Sequence, residues 1–150
     1  MTTPAEPLDL SGPFRAALLN STPISSLLGI YEGEPAVFTS RPVPAAAPYP
    51  QAIVSPPISI GNQDMLKSII PVPRIDISFY GEQPDDYRTV EALGYLARKL
   101  FHRQKFSIDL SPDFSVIDII CNGPITAPVD DTNRVGRMVL LQLRLKDLSV

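Results

Sequence analysis

Thirteen of the 17 prolines in this 150-residue chain precede Arg74. Proline interrupts helix interiors and central strands alike, so the first half must consist of short elements and extended loops, with regular structure concentrated in the second half. Two short helical stretches still fit there. Pro13 to Asn20 is opened by Ser11 and Gly12, and Pro23 to Leu28 is opened by Thr22 and closed by Gly29. Each begins on proline, which is tolerated at a first helical position. Leu18, Leu19, Ile24, Leu27 and Leu28 supply apolar faces able to dock on a sheet. After Gly29, IYEGEP is brief and extended, and VFTSRPVPAAAPYP makes a loop well beyond the usual connection of roughly 4 to 6 residues. QAIVS can form a strand only up to Ser55, since Pro56 and Pro57 follow, and Ile60 to Pro73 reads as a second irregular stretch.

From Arg74 to Tyr80 the residues alternate, with Ile75, Ile77 and Phe79 on one face and Asp76, Ser78 and Tyr80 on the other, the period of a half-buried strand. Gly81 and Pro84 break it. Asp85 and Asp86 favour a helix start, and Tyr87, Val90, Leu93, Ala97, Leu100 and Phe101 then recur at helical spacing, so the main helix is expected from Asp85 to Arg103. Arg98, Lys99, His102, Arg103 and Lys105 complement the negative end of its dipole. Ser115 to Cys121 reads as a strand with Ile117, Ile119 and Cys121 on one face, ended by a sharp NGP turn. The final run, Arg134 to Leu145, alternates but is apolar on both faces near its centre, as suits a strand in mid-sheet or at an assembly interface. The expected fold class is α+β: a single domain over residues 1–150, residues 1–10 a flexible arm, with a mainly antiparallel or mixed sheet and helices packed on one face.

Chemistry is sparse in this chain. A single histidine, His102, excludes a histidine metal cluster within one subunit, and no G-x-S-x-G, P-loop or G-x-G-x-x-G is present. Asp85 with Asp86 suits a helix start. Asp130 with Asp131 suits a hairpin turn better than a calcium loop, which would require a glycine at its bend and a bidentate glutamate at its end. The single cysteine, Cys121, lies in an apolar run where an inert buried thiol is the commoner role. A net charge of -3 and a pI near 5.0 provide no basic footprint for nucleic acid. No apolar run reaches the roughly 20 residues of a membrane helix, and MTTPAEPLDL lacks the basic and apolar regions of a secretory signal. Catalytic, cofactor-binding and metal-binding residues are therefore none by this reading.

The order of elements, a leading helix, IYEGEP, a long loop, PYPQAIV, then RIDISFYGE followed by a helix and a terminal strand after VDDTNR, resembles the tail-completion or tail-terminator family of long-tailed bacteriophages and phage-derived particles. The likeness runs from about Phe14 to Leu145. It departs from the family in the proline-rich Ala36 to Pro50 and in Ile60 to Pro73. What the resemblance implies is a structural virion protein made in the host cytoplasm, with no enzymatic activity and no cofactor. It would form a homo-oligomeric ring, typically a hexamer, on the head-proximal end of the tail tube. Its partners would be the tail tube protein and the head-tail connector, with DNA passing only through the lumen and no membrane involved. Arg41, Lys67 and Arg137 are the expected interface positions. Two other readings stay open: another neck or head-closure ring protein, and a small ligand-binding or enzymatic domain built on the loops after Ile30.

Overall fold

The alternating segment that begins at Arg74 is the axis of the molecule. The computed structural model describes residues 10–40, 42–55, 59–65, 68–111, 114–129 and 133–148. Its elements in chain order are α1 (Ser11–Asn20), α2 (Thr22–Ser25), β1 (Ile30–Tyr31), β2 (Glu34–Pro35), β3 (Val37–Phe38), β4 (Gln51–Val54), β5 (Ser59–Met65), β6 (Ser68–Glu82), α3 (Tyr87–Phe101), β7 (Phe114–Thr126) and β8 (Arg134–Asp147). β1 and β2 form a small hairpin of their own, and the other strands make a six-stranded sheet in the order β3-β4-β6-β8-β7, with β5 also paired to β6. The β3–β4 pair is parallel and the rest of the sheet is antiparallel. This is the mixed, mainly antiparallel α+β architecture expected from the sequence.

One face of the sheet carries the core. Ile77 and Phe79 of β6, Val139, Leu143 and Leu145 of β8, and Ile119 and Cys121 of β7 are fully buried. Phe14 and Leu18 of α1 and Val90, Leu93, Ala97 and Phe101 of α3 are buried with them, and the Phe14 ring meets Phe101 edge-on with centroids 5.0 Å apart. Leu100, expected in this core, only packs at its margin, because Phe101 occupies the inward position of the last turn. Leu10, assigned from the sequence to a flexible arm, is fully buried; residues 1–9 lie outside the described residues. The proline-rich loop is seated on the body. Pro48 lies 2.8 Å from where a Cβ on Gly29 would stand, and Gly29 N–H donates to Pro50 O at 2.9 Å, so only glycine admits this approach.

Four sequence expectations are corrected. α3 starts at Tyr87, not Asp85: the Asp86 carboxylate accepts the Glu82 N–H at 2.8 Å, closing a turn ahead of the helix. β7 does not keep Ile117 with Ile119 and Cys121, because a register shift between Val116 and Asp118 inserts a bulge. Val116 consequently packs against the core while Ile117 is 42% exposed. β7 also continues through Asn122, Gly123 and Pro124, where the sequence suggests a sharp turn. Gly123 sits at φ 111 with Met138 O 2.8 Å from its missing Cβ, so the strand passes through a second irregularity without leaving β8.

The fourth correction concerns Ile60 to Pro73, expected to be irregular. It falls in an antiparallel hairpin, β5 with the first part of β6, closed by the Met65↔Ser68 pair. The reason is parity. In β6, Asp76 O accepts the Ser55 N–H at 3.0 Å on the β4 side, and Gln83 N–H continues the other ladder to Asn133 O at 2.8 Å. Even-numbered residues thus direct their backbone groups toward β4 and β5, and odd-numbered ones toward β8. Pro71 and Pro73 are odd. They lack donors that the β5 pairing never uses, and the same deficit removes the next two bonds to β8, so the β6–β8 ladder stops at Arg74↔Gln142.

Candidate interaction surfaces

The last turn of α3 lies along the outer edge of β7. The Arg98 guanidinium donates to Gly123 O at 2.9 Å, the N–H of Cys121 donates to His102 Nδ1 at 3.1 Å, and Arg103 N–H donates to Ile119 O at 2.8 Å. Arg103 also pairs with Asp118. An open strand edge is a template for unwanted pairing, and here the helix end occupies it. The helix, expected to run to Arg103, ends at Phe101 with His102 extended, and Arg103 takes a positive φ of 59 that turns the chain onto the strand. His102 is therefore a helix-end residue, as read from the sequence, with an added role as the acceptor for the Cys121 N–H. Beyond it Lys105 stands 5.0 Å from the centroid of the Phe106 ring, which is 89% exposed.

Of the expected interface residues, Arg41 and Lys67 lie outside the described residues. Arg137 faces α3. Its guanidinium is paired with Glu91 at 3.3 Å, stacks 5.4 Å from the Tyr87 ring centroid, and donates to Gly136 O at 2.9 Å. Its charge is spent on joining β8 to α3 within the subunit, with only 18% of the side chain exposed.

An open groove of about 500 Å³ lies between the β1–β2 hairpin and the proline-rich loop, lined by Arg15, Tyr31, Glu34, Phe38 and Pro44 among others. It lies in the loops after Ile30, where the sequence leaves a ligand site open. Its polar centre is a closed pair: Arg15 bonds Glu34 at 2.9 Å and Val37 O at 3.2 Å. Among the described residues no group of three or more His, Cys, Asp or Glu is placed to hold a metal ion, and Asp130 and Asp131 lie outside them. Cys121 is fully buried, and that burial pushes its thiol up to about 11, against a smaller opposing pull from Arg98. Such a thiol is inert at neutral pH. Asp109 is held below the usual carboxylate range by hydrogen bonds from the Ser111 hydroxyl and then its N–H. No helix among the described residues is long and apolar enough to cross a membrane.

Two surface features escaped the sequence reading: the polar closure of β7 and the hairpin built from β5. The matching parity of Pro71 and Pro73 was the signal available for the second.

No protein-family model matches the chain, and no curated protein matches it. Among solved structures, a chain of the virion of a native gene transfer agent particle is similar to it with a TM-score of 0.71 at 14% sequence identity. The likeness covers 91% of this chain and 94% of that one, so what the two share is the whole α+β fold.

Proposed function

We propose that this chain is a structural protein of a phage-type particle, and specifically a tail terminator. Identical copies form a ring, typically a hexamer, on the head-proximal end of the tail tube, stop its polymerisation and present a surface to the head connector. The observation that carries this reading is the shared fold with a virion chain along nearly the full length of both proteins. The resemblance of the element layout from Phe14 to Leu145 to the tail-terminator family supports the narrower reading. The role is geometric: one face copies the tube's own subunit interface, the other cannot accept a further tube ring, and a closed ring needs one repeated heterologous contact. The polar groups that the fold brings together at Arg137, His102 and Arg15 serve packing within the subunit.

Deletion in the parent particle, followed by negative-stain microscopy, tests it. The expected result is unjoined heads and tails of irregular or excessive length, restored by the wild-type protein. Tails of normal length joined to heads would overturn the terminator role, and normal tails with unjoined heads would move the protein to the neck.

A further inference from the structure

We infer that the outer edge of β5 pairs with β5 of a second copy of this chain, antiparallel about Asn62. The starting point is the treatment of the sheet's edges. β7 is closed by α3 and carries two register shifts. β3 is two residues long, and Val37 O accepts from Arg15 Nε. The segment of β6 beyond Arg74 has prolines at 71 and 73, the positions that would pair toward β8. β5 has none of these devices. It pairs with β6 over seven residues without a bulge, contains no proline, and pairs with no other strand among the described residues.

Parity assigns the open groups. Odd residues of β5 face even residues of β6 in the hydrogen-bonded pairs, as the two-residue connection at Met65↔Ser68 requires, so the backbone N–H and C=O of Ile60, Asn62 and Asp64 point outward. The hairpin runs about 20 Å past the last β8 partner at roughly 3.3 Å per residue. Beyond Arg74 the sheet narrows to these two strands, and because two strands alone are marginal in water a third beside them is stabilising. One side is closed by the prolines. The additional strand therefore enters at β5.

A second copy fits the open edge by its own sequence. An antiparallel pairing centred on Asn62 sets Ile60 opposite the partner's Asp64 and Asn62 opposite the partner's Asn62, giving the four-stranded order β6–β5–β5–β6. A parallel pairing would set Asp64 against the partner's Asp64, which like charges disfavour. Among the described residues no other strand of this chain presents a free edge of comparable length. This contact is separate from the contact that would close a ring and does not depend on it.

Sedimentation velocity of the purified full chain across the micromolar range tests the pairing. Wild type should show a monomer–dimer equilibrium. Asn62→Pro removes an outward donor while leaving every bond to β6, and should weaken dimerisation at least about tenfold with the circular dichroism spectrum unchanged. Asn62→Lys and Asn62→Asp place like charges across the two-fold and should each weaken it, while their equimolar mixture restores it as a heterodimer. A wild type that stays monomeric, an Asn62→Pro dimer as tight as wild type, or a mixture that fails to recover would each overturn the inference. Loss of the pair in solution with tails still capped in the particle separates this contact from the ring reading, and uncapped-length defects without any change at Asn62 separate the ring from the pair.

Discussion

Along β7, three backbone groups of the outer edge meet hydrogen-bonding partners from the end of α3; along β5, alternate backbone groups face outward with no second strand beside them among the described residues. Both strands are edges of the same sheet, so the difference is made by what the chain places next to each. The helix end beside β7 is held by Phe101 in the core, and its polar residues fall on the strand as a consequence. The hairpin of β5 leaves the body where two prolines withdraw their donors from β8. One edge is closed as a by-product of core packing, and the other is left available by the same backbone rule.

The most damaging way to break this arrangement is to remove its anchor. Phe101→Ala deletes a fully buried ring and its edge-on contact with Phe14, and should cost about 3–5 kcal/mol in urea unfolding, with α3 loosened from β7. Leu100→Ala, one residue earlier but at the core margin, should cost clearly less. Equal losses at the two positions would mean that the inward face of the last turn is assigned wrongly.

His102→Ala acts on the closure itself. It strands the N–H of fully buried Cys121, and an unsatisfied buried donor costs about 1–3 kcal/mol. His102→Gln keeps an acceptor within reach and should recover most of the loss. With β7 uncovered, His102→Ala should also aggregate at concentrations where wild type stays dispersed, as read by light scattering. A variant as stable and dispersed as wild type would show that the helix end closes the edge without the imidazole.

The contrast between the two edges also explains how much of the fold could be read from residues. Ile75, Ile77 and Phe79, and the helical period through Val90, Leu93 and Ala97, were readable because burial writes a plain period into a strand or helix packed on one core. Ile117 was misplaced because a bulge changes parity without changing composition. Ile60 to Pro73 reads as irregular if proline breaks a strand wherever it occurs, while its effect depends on which side of the strand its missing donor would face. The surfaces were harder still. Arg137 reads as an interface position in the sequence, and the approach of Glu91 and Tyr87 shows its guanidinium to be paired within the subunit. The capping role of His102 depends on Cys121, 19 residues away, and no local pattern encodes it.

Alkaline pH offers a milder probe of the closed side. The Cys121 thiol is raised to about 11 in the folded chain, above its value when unfolded, so the two states bind protons equally at neutral pH. As pH climbs between the unfolded and folded values, the unfolded chain releases this proton first and stability falls. The contribution is fully present below the unfolded pKa and lost as pH rises toward about 11. Comparing urea midpoints of wild type and Cys121→Ala at neutral and alkaline pH isolates it: the wild type should lose more with rising pH. Parallel losses in the two proteins would mean the thiol is solvated. Thiol labelling of the native chain at neutral pH should, by the same burial, proceed only as fast as the strand opens.

The smallest effect expected separates backbone closure from charge. Arg103 contributes two things to β7, its N–H to Ile119 O and an ion pair with Asp118. The arginine side chain is 61% exposed, and pairs in such surroundings contribute about 0–1 kcal/mol because solvent and salt screen them. Arg103→Ala keeps the N–H and should therefore shift stability by less than about 1 kcal/mol, with little salt dependence remaining in the difference. Arg103→Gly tests the other half. Glycine accepts the positive φ at this position readily, so the turn onto the strand is preserved while the same ion pair is lost. If the edge is closed by the backbone, the glycine variant should be no less stable than the alanine variant in urea unfolding, since alanine alone must strain to adopt φ 59. A loss of several kcal/mol in both would instead assign the closure of β7 to the Asp118 pair, and the contrast with β5 would then rest on charge and not on hydrogen-bonded geometry.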